Sequence, residues 1–141
     1  MKFLDTNVFV YAYYKPKRQL NQKEQQMKEH AKKIISSVSQ GKEEVLLTVI
    51  HVAEMVNILK HGMPLDQLTA LIRGLFMLDN VKIVDSTRDA YFAATGLSEE
   101  LKLEPNDALA VDVMRQNGIT EIYSFDEDFN NIEGVIRLPT I

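Results

Sequence analysis

The sequence contains no cysteine, and this absence excludes several classes of protein at once. None of its 141 residues can form a disulfide, a thiolate zinc site or a cysteine nucleophile. No apolar run approaches the roughly 18 residues that a membrane helix requires. A charged residue, Asp5, follows the start too closely for the apolar core of a signal peptide. From these absences we expect a cytoplasmic protein without membrane attachment.

Familiar signatures of nucleotide and acyl chemistry are also missing. The chain has no P-loop, no dinucleotide-binding glycine fingerprint and no nucleophile elbow. It has no internal repeat and no low-complexity linker. With 45% hydrophobic and 26% charged residues, the composition is typical of a globular protein. We therefore expect one domain spanning residues 1–141.

Positive charge is scarce except in one segment. Residues 15–42 carry eight Lys and Arg against two Glu, a local charge of +6, whereas the rest of the chain has a charge of −10. Such a segment either forms a solvated helix face or meets a polyanion. Charge alone leaves both interpretations open.

Short apolar segments alternate with segments of helical spacing, and this alternation predicts an α/β fold. Residues after Asp5 could continue the first strand or form a helix; we favour the helix, with a functional turn at residues 5–7. The predicted fold is a three-layer, Rossmann-like α/β/α arrangement around a parallel sheet of four to five strands. Strands are predicted at 2–4, 45–48, 81–84, 121–125 and 135–137, and helices at 6–14, 20–39, 49–59 with Thr48 as its cap, 65–78, 87–103 and 105–117.

Several carboxylates occupy unusual positions in this predicted fold. Asp5 stands where the first strand ends, and Asp126 and Asp128 follow the fourth strand. Glu54 is the lone charge in an apolar helix, and Asp107 lies on the apolar edge of the helix that Pro105 opens. A carboxylate on an apolar face is costly unless a cation neutralises it. No Lys or Arg lies close in sequence to Asp5, Glu54 or Asp107.

If the sheet brings Asp5, Asp107 and Asp126 to one edge, the site requires a divalent cation. Oxygen ligands suit Mg²⁺ or Mn²⁺, and such ions support hydrolysis of phosphodiester or phosphoester bonds. Simpler interpretations remain open for each residue. Asp5 could be a helix cap, Asp107 a first-turn acid favoured by the helix dipole, and the acids after the fourth strand a solvated turn.

Four segments, in order along the chain, resemble the PIN-domain ribonucleases, and in particular the VapC-type toxins of toxin–antitoxin pairs. These segments are DTNVFVYAYY, TVIHVAEMVNIL, PNDALAVDVM and SFDEDF. The resemblance implies a Mg²⁺- or Mn²⁺-dependent endoribonuclease whose products carry 3′-hydroxyl and 5′-phosphate ends. It also implies RNA as substrate, a small antitoxin as partner and a homodimer.

The resemblance assigns roles residue by residue. Asp5, Glu54, Asp107 and Asp126 match the catalytic acids, of which Asp5, Asp107 and Asp126 match the metal ligands. Supporting or substrate-contacting positions are matched by Thr6, Asn7, Ser124 and Asp128. Asp128 is also an alternative to Asp126 as the fourth acid.

Two rival functions remain on the sequence alone. A haloacid-dehalogenase-like phosphatase also begins with an Asp at a strand end, but its second Asp corresponds here to Asn7, and no Lys is an evident candidate for its site. A binding module for RNA or protein, with an acidic cluster that is inactive, is the alternative that is not an enzyme. Metal-dependent RNA cleavage, set against phosphatase turnover or binding without turnover, separates the three.

Overall fold

The computed structural model describes all residues 1–141 and contains one parallel sheet with helices on its faces. The strands follow the order β3-β2-β1-β4-β5, and every neighbouring pair is parallel. The elements are β1 (Lys2–Leu4), α1 (Thr6–Tyr13), α2 (Gln22–Ser39), β2 (Val45–Thr48), α3 (Val49–Leu59), α4 (Leu65–Met77), β3 (Val81–Val84), α5 (Arg88–Leu101), α6 (Pro105–Gln116), β4 (Glu121–Tyr123), a 3₁₀ helix (Glu127–Asn131) and β5 (Ile136–Leu138).

The order of the strands explains the layers. Right-handed crossovers from β1 through β2 to β3 place α1 to α4 on one face of the sheet. The return from β3 to β4 places α5 and α6 on the other face. The contacts agree, because α1 packs against α2 and α3, whereas α5 packs against α6. The predicted three-layer α/β/α fold with a parallel sheet is confirmed, with five strands.

Burial on both faces accounts for the composition of the central strands. All four residues of β2 are buried, as are Phe3 and Leu4 of β1 and Ile122 of β4. A parallel sheet covered on both faces reads as a continuous apolar run, and β2 does so. An apolar stripe of α4 packs against this core, with Leu68 and Leu75 buried. No helix in the structure is both long enough and apolar enough to cross a bilayer.

Element boundaries differ from the predicted ones at two informative places. The fourth strand was predicted to reach residue 125 but ends at Tyr123, because the backbone N–H of Phe125 donates to the side chain of Asn7 instead of to a neighbouring strand. The fifth helix was predicted to reach residue 103 but ends at Leu101. Lys102 there adopts the left-handed conformation, with φ of 60°, and stops the helix.

Candidate active site

Asp5 lies at the centre of the carboxyl edge of the sheet, between the two halves of the fold. The strand order reverses between β1 and β4, and ligands of open α/β sheets bind in the crevice at such a point. Asp5 occupies the N-cap position of α1, but its side chain makes no capping hydrogen bond. Instead it accepts a hydrogen bond of 2.6 Å from Ser124 Oγ, and it is only 5% exposed. A plain capping role therefore does not explain Asp5.

A polar turn after β4 is tied to the turn after β1. Asn7 bridges the two, since its Nδ2 donates to Ser124 Oγ at 3.4 Å and its Oδ1 accepts from the Phe125 N–H at 3.2 Å. Ser124 Oγ also accepts from the Asp126 N–H at 3.0 Å. The predicted supporting residues Asn7 and Ser124 thus hold the backbone on which Asp5 and Asp126 are carried.

The structure places the two aspartates that follow β4 differently. Asp126 lies close enough to Asp5 and Asp107 for its charge to raise the pKa of both. Asp128 is exposed, and its backbone N–H donates to Asp126 Oδ1 at 2.9 Å. Asp126 therefore belongs with the other carboxylates, whereas Asp128 supports it through the backbone.

Glu54 reaches the same edge from α3 and is held by a side chain of α6. Asn106 Nδ2 donates to Glu54 Oε2 at 2.5 Å, and Tyr91 of α5 donates from its hydroxyl to Asn106 Oδ1 at 2.5 Å. The other carboxylate oxygen, Glu54 Oε1, has no hydrogen-bond partner in the protein. The Tyr91 hydroxyl fixes the orientation of the amide, so the Asn106 side chain presents its N–H groups to Glu54.

A buried histidine connects the helices that carry Glu54 and Asp107. His51 is 1% exposed, and its Nε2 lies 3.0 Å from the backbone oxygen of Asn106. A carbonyl only accepts, so Nε2 carries the proton and Nδ1 accepts from Thr48 Oγ1 at 2.7 Å. Burial lowers the pKa of His51 to about 4, and the ring is neutral near pH 7. Thr6 joins the hydrogen bonds around His51 by donating from Oγ1 to the His51 backbone oxygen at 3.1 Å.

The charges of Asp5, Glu54 and Asp126 all act on the carboxylate of Asp107. Burial, together with the charges of Asp5, Asp126 and Glu54, raises the pKa of Asp107 from 3.8 to about 8. Burial also raises the pKa of Asp5 to about 6, against the Ser124 hydrogen bond that lowers it. Shifts of this size, on adjacent acids in a crevice, are typical of functional sites.

No cationic side chain neutralises these carboxylates. None of the four ion pairs of the structure includes Asp5, Glu54, Asp107 or Asp126. The buried Arg137 lies beneath the turn, but it donates to the Ser124 backbone oxygen at 3.2 Å and to Asn130 Oδ1 rather than to a carboxylate. A set of unneutralised carboxylate oxygens is the donor set that Mg²⁺ and Mn²⁺ prefer, so the residues present fit such an ion. The side chains do not, however, form a preassembled group of three or more ligands.

The sequence singles out the candidate acids but not the groups that orient them. Asn106 and Tyr91 were not singled out, although Asn106 directly precedes Asp107 and is polar at the start of an apolar helix. That position was the one available signal. His51, three residues before Glu54 on the same helix, is buried and supports the site through Thr48 and Asn106.

The family model described as PIN domain matches residues 2–135. Among solved structures, Mycobacterium tuberculosis VapC20, described as a sarcin–ricin-loop-cleaving toxin, has 21% identity and a TM-score of 0.68, covering 92% of this chain and 93% of that one. A toxin–antitoxin complex from Klebsiella pneumoniae has 18% identity and a TM-score of 0.64, covering 96% of both chains.

A third similar structure is VapBC2 from Rickettsia felis bound to a DNA fragment from its promoter. It has 16% identity and a TM-score of 0.62, covering 96% of both chains. No curated protein sequence matches the chain. At these identities the solved structures establish a shared fold, and the family match extends over almost the whole chain.

Proposed function

Because this chain belongs to the PIN-domain family, a family of nucleases, we propose that it is a divalent-metal-dependent endoribonuclease and the toxin of a VapBC-type toxin–antitoxin pair. One observation carries the proposal. Carboxylates from four separate segments lie close enough for the charges of Asp5, Glu54 and Asp126 to raise the pKa of Asp107, near the sheet edge where the strand order reverses, and no cationic side chain pairs with them.

Each carboxylate has a proposed role. Asp5, Asp107 and Asp126 would hold the Mg²⁺ or Mn²⁺, which when bound lowers the pKa of a coordinated water and offsets the charge of the phosphate. Ser124 fixes the orientation of Asp5 by donating to Oδ2. Glu54 Oε2 is occupied by Asn106, which leaves Oε1 to accept a proton from the attacking water and align it with the phosphorus.

The partners follow from the same proposal. The similar structures from Klebsiella pneumoniae and Rickettsia felis are toxin–antitoxin assemblies, so we propose a small antitoxin that covers the carboxylates, an Arg being the side chain suited to pair with them. A homodimer and a cytoplasmic location belong to the same proposal. Light scattering of the purified protein tests the homodimer. A measured mass equal to that of one chain would contradict it.

Cleavage of RNA by the purified protein tests the proposed function. We expect the wild-type chain to cut single-stranded RNA with Mg²⁺ or Mn²⁺ and to lose activity with EDTA. Asp107→Asn should be inactive, whereas Asp112→Asn, which alters an acid further along the same helix, should cut normally. The fragments should carry 5′-phosphate ends.

Two outcomes would count against the proposal. Cutting of RNA by clean Asp107→Asn protein, or by wild-type protein in EDTA, would remove the proposed role of the carboxylates. Turnover of a small phosphate ester without RNA cleavage would favour the phosphatase, and RNA binding without any turnover would favour the binding module.

A further inference from the structure

A pocket of about 240 Å³ lies between the end of α1 and the start of α2, outside the carboxylate site. It is smaller than the roughly 300–1,000 Å³ of pockets that take drug-sized ligands. The tyrosines Tyr11 and Tyr14 line it, and Tyr14 is 45% exposed. The side chains that line it and bear on its chemistry are Val10, Tyr11, Tyr14, Arg18, Glu24 and Lys28.

Two contacts link the elements around the pocket to the turn after β4, which carries Asp126. The ring of Tyr11 meets the ring of Phe125 edge to face, with centroids 5.1 Å apart, and Phe125 directly precedes Asp126. The first turn of α2 also reaches the turn after β4, where Lys23 Nζ lies 3.5 Å from Glu127 Oε1. A polymer strand whose phosphate lies at the carboxylates therefore has a neighbouring unit within reach of the pocket.

The cations that line the pocket are already occupied. Arg18 pairs with Glu24 through two hydrogen bonds of 2.8 and 2.5 Å. Lys28 Nζ donates to the backbone oxygens of Tyr11 and Tyr14, at 3.2 and 3.0 Å, and so caps the end of α1. The pocket therefore offers aromatic and apolar surface rather than a free charge, and this favours a flat, uncharged group over a phosphate.

The surroundings of the pocket are basic. The pocket opens within the segment of residues 15–42, whose charge is +6, and Lys15, Lys17 and Lys32 are exposed there. A nucleic acid strand combines flat bases with a charged backbone, and proteins that bind single strands use stacking side chains within a basic surface. An apolar peptide has no need of this positive charge.

We propose that this pocket binds one unpaired nucleobase of the RNA, next to the scissile phosphate, with Tyr14 stacking on the base. The proposal rests on the proposed function, since it places the substrate of the same site. It assigns to the basic segment a specific contact in addition to its general attraction for phosphates.

The absence of tryptophan from the chain allows a direct test. In the Asp107→Asn background, Tyr14→Trp keeps an aromatic surface and introduces the only indole of the protein. Phe92→Trp is the matched control, because Phe92 is 70% exposed on α5 and does not line the pocket. The probes are oligouridine and oligoadenine of about 10 nucleotides, and inorganic polyphosphate serves as a base-free polyanion.

We expect both oligonucleotides to quench the indole fluorescence of the Tyr14→Trp protein, and polyphosphate to leave it largely unchanged. The Phe92→Trp protein should respond to none of them. Tyr14→Leu should weaken RNA binding, as measured by fluorescence polarisation, about 5- to 100-fold. Tyr14→Phe keeps the ring and should bind RNA as the parent does, as should Phe92→Leu.

Three outcomes would overturn the proposal: RNA binding to Tyr14→Trp without quenching, equal quenching by polyphosphate, or quenching by an amphipathic helical peptide but not by RNA. The outcome is independent of the cleavage assay. If wild-type protein cuts RNA but RNA does not quench the Tyr14→Trp indole, the nuclease function stands and the base pocket is refuted. If RNA quenches the indole but wild-type protein does not cut RNA, the base pocket stands and the nuclease function is refuted.

Discussion

Replacing Asp107 with Asn should remove activity and at the same time make the metal-free protein more stable. The pKa of Asp107 is raised from 3.8 to about 8 by burial and by the neighbouring carboxylates. Folding must therefore disfavour the charged form of this residue. Asn has nearly the same shape without the charge, so the substitution removes the unfavourable interaction and keeps the packing.

The sign of the pH dependence follows from proton binding. Between pH 4 and pH 8 the unfolded chain has lost the Asp107 proton, whereas the folded chain still holds it. Wild-type stability therefore falls as pH rises through this range. Asp5, whose pKa is raised to about 6, adds to the fall between pH 4 and pH 6. The stability gained by Asp107→Asn should be small near pH 4 and grow towards pH 8.

The magnitude has an upper limit and a smaller expected value. A shift from 3.8 to about 8, at about 1.4 kcal/mol for each pH unit, would amount to roughly 6 kcal/mol. The carboxylate is partly exposed, and water screens its interactions. We therefore expect Asp107→Asn to raise the free energy of unfolding by about 1–3 kcal/mol at pH 8.

Urea denaturation in EDTA, at pH 5 and pH 8, measures this difference. The control is Asp112→Asn, which retains the amide contact with Gln116 on the outer side of α6 and should show no gain that depends on pH. Mg²⁺ should stabilise wild-type protein more than Asp107→Asn, because a ligand stabilises the state that binds it. A gain at pH 8 that is no larger than the gain at pH 5 would refute the electrostatic argument.

Four further predictions concern single side chains or the ion. Glu54→Gln should fold normally, shown by circular dichroism, and lower kcat for RNA cleavage at least about 100-fold, because the acceptor for the water proton is lost; near-normal kcat would contradict its role. Asn106→Ala should lower kcat about 10-fold with little change in KM, and Tyr91→Phe should lower it less, because each loosens Glu54 without touching the substrate; an effect confined to KM would show that Asn106 contacts RNA instead. Ile122→Ala, in the middle of the sheet and fully buried, should cost about 2–5 kcal/mol in urea denaturation, and a cost below 1 kcal/mol would mean that this core is loosely packed. Removal of metal by EDTA should abolish cleavage and Mg²⁺ or Mn²⁺ should restore it, whereas Ca²⁺ should restore less, because it prefers larger and more flexible coordination.

Much of the fold was predictable because it depends on local pattern. Each apolar strand and each helix cap is encoded within a few residues. The parallel sheet follows from the alternation of strands and helices along the chain. The positions of Asp5 and Asp107 could be predicted because a charge stands out against an apolar background. The helix formed after Asp5, where a continued strand was the alternative, is likewise observed as α1.

The orienting contacts could not be predicted in the same way, because they join residues far apart in the sequence. Asn106 and Glu54 are 52 residues apart, and Ser124 and Asp5 are 119 apart. Nothing near Glu54 in the sequence indicates which side chain holds it. The left-handed turn at Lys102 was missed for a different reason: glycine usually marks such a position, and here it is a lysine.

The insertion of β4 between β1 and β5 also bears on synthesis of the chain. A ribosome that has reached residue 100 has released Asp5 and Glu54, but Asp107 and Ser124 have not yet been made. Without β4, β1 pairs only with β2. The polar turn after β4, whose Ser124 holds Asp5, is then also missing. During translation the carboxylate site therefore cannot assemble until Asp107 and Ser124 have been made and β4 has paired with β1.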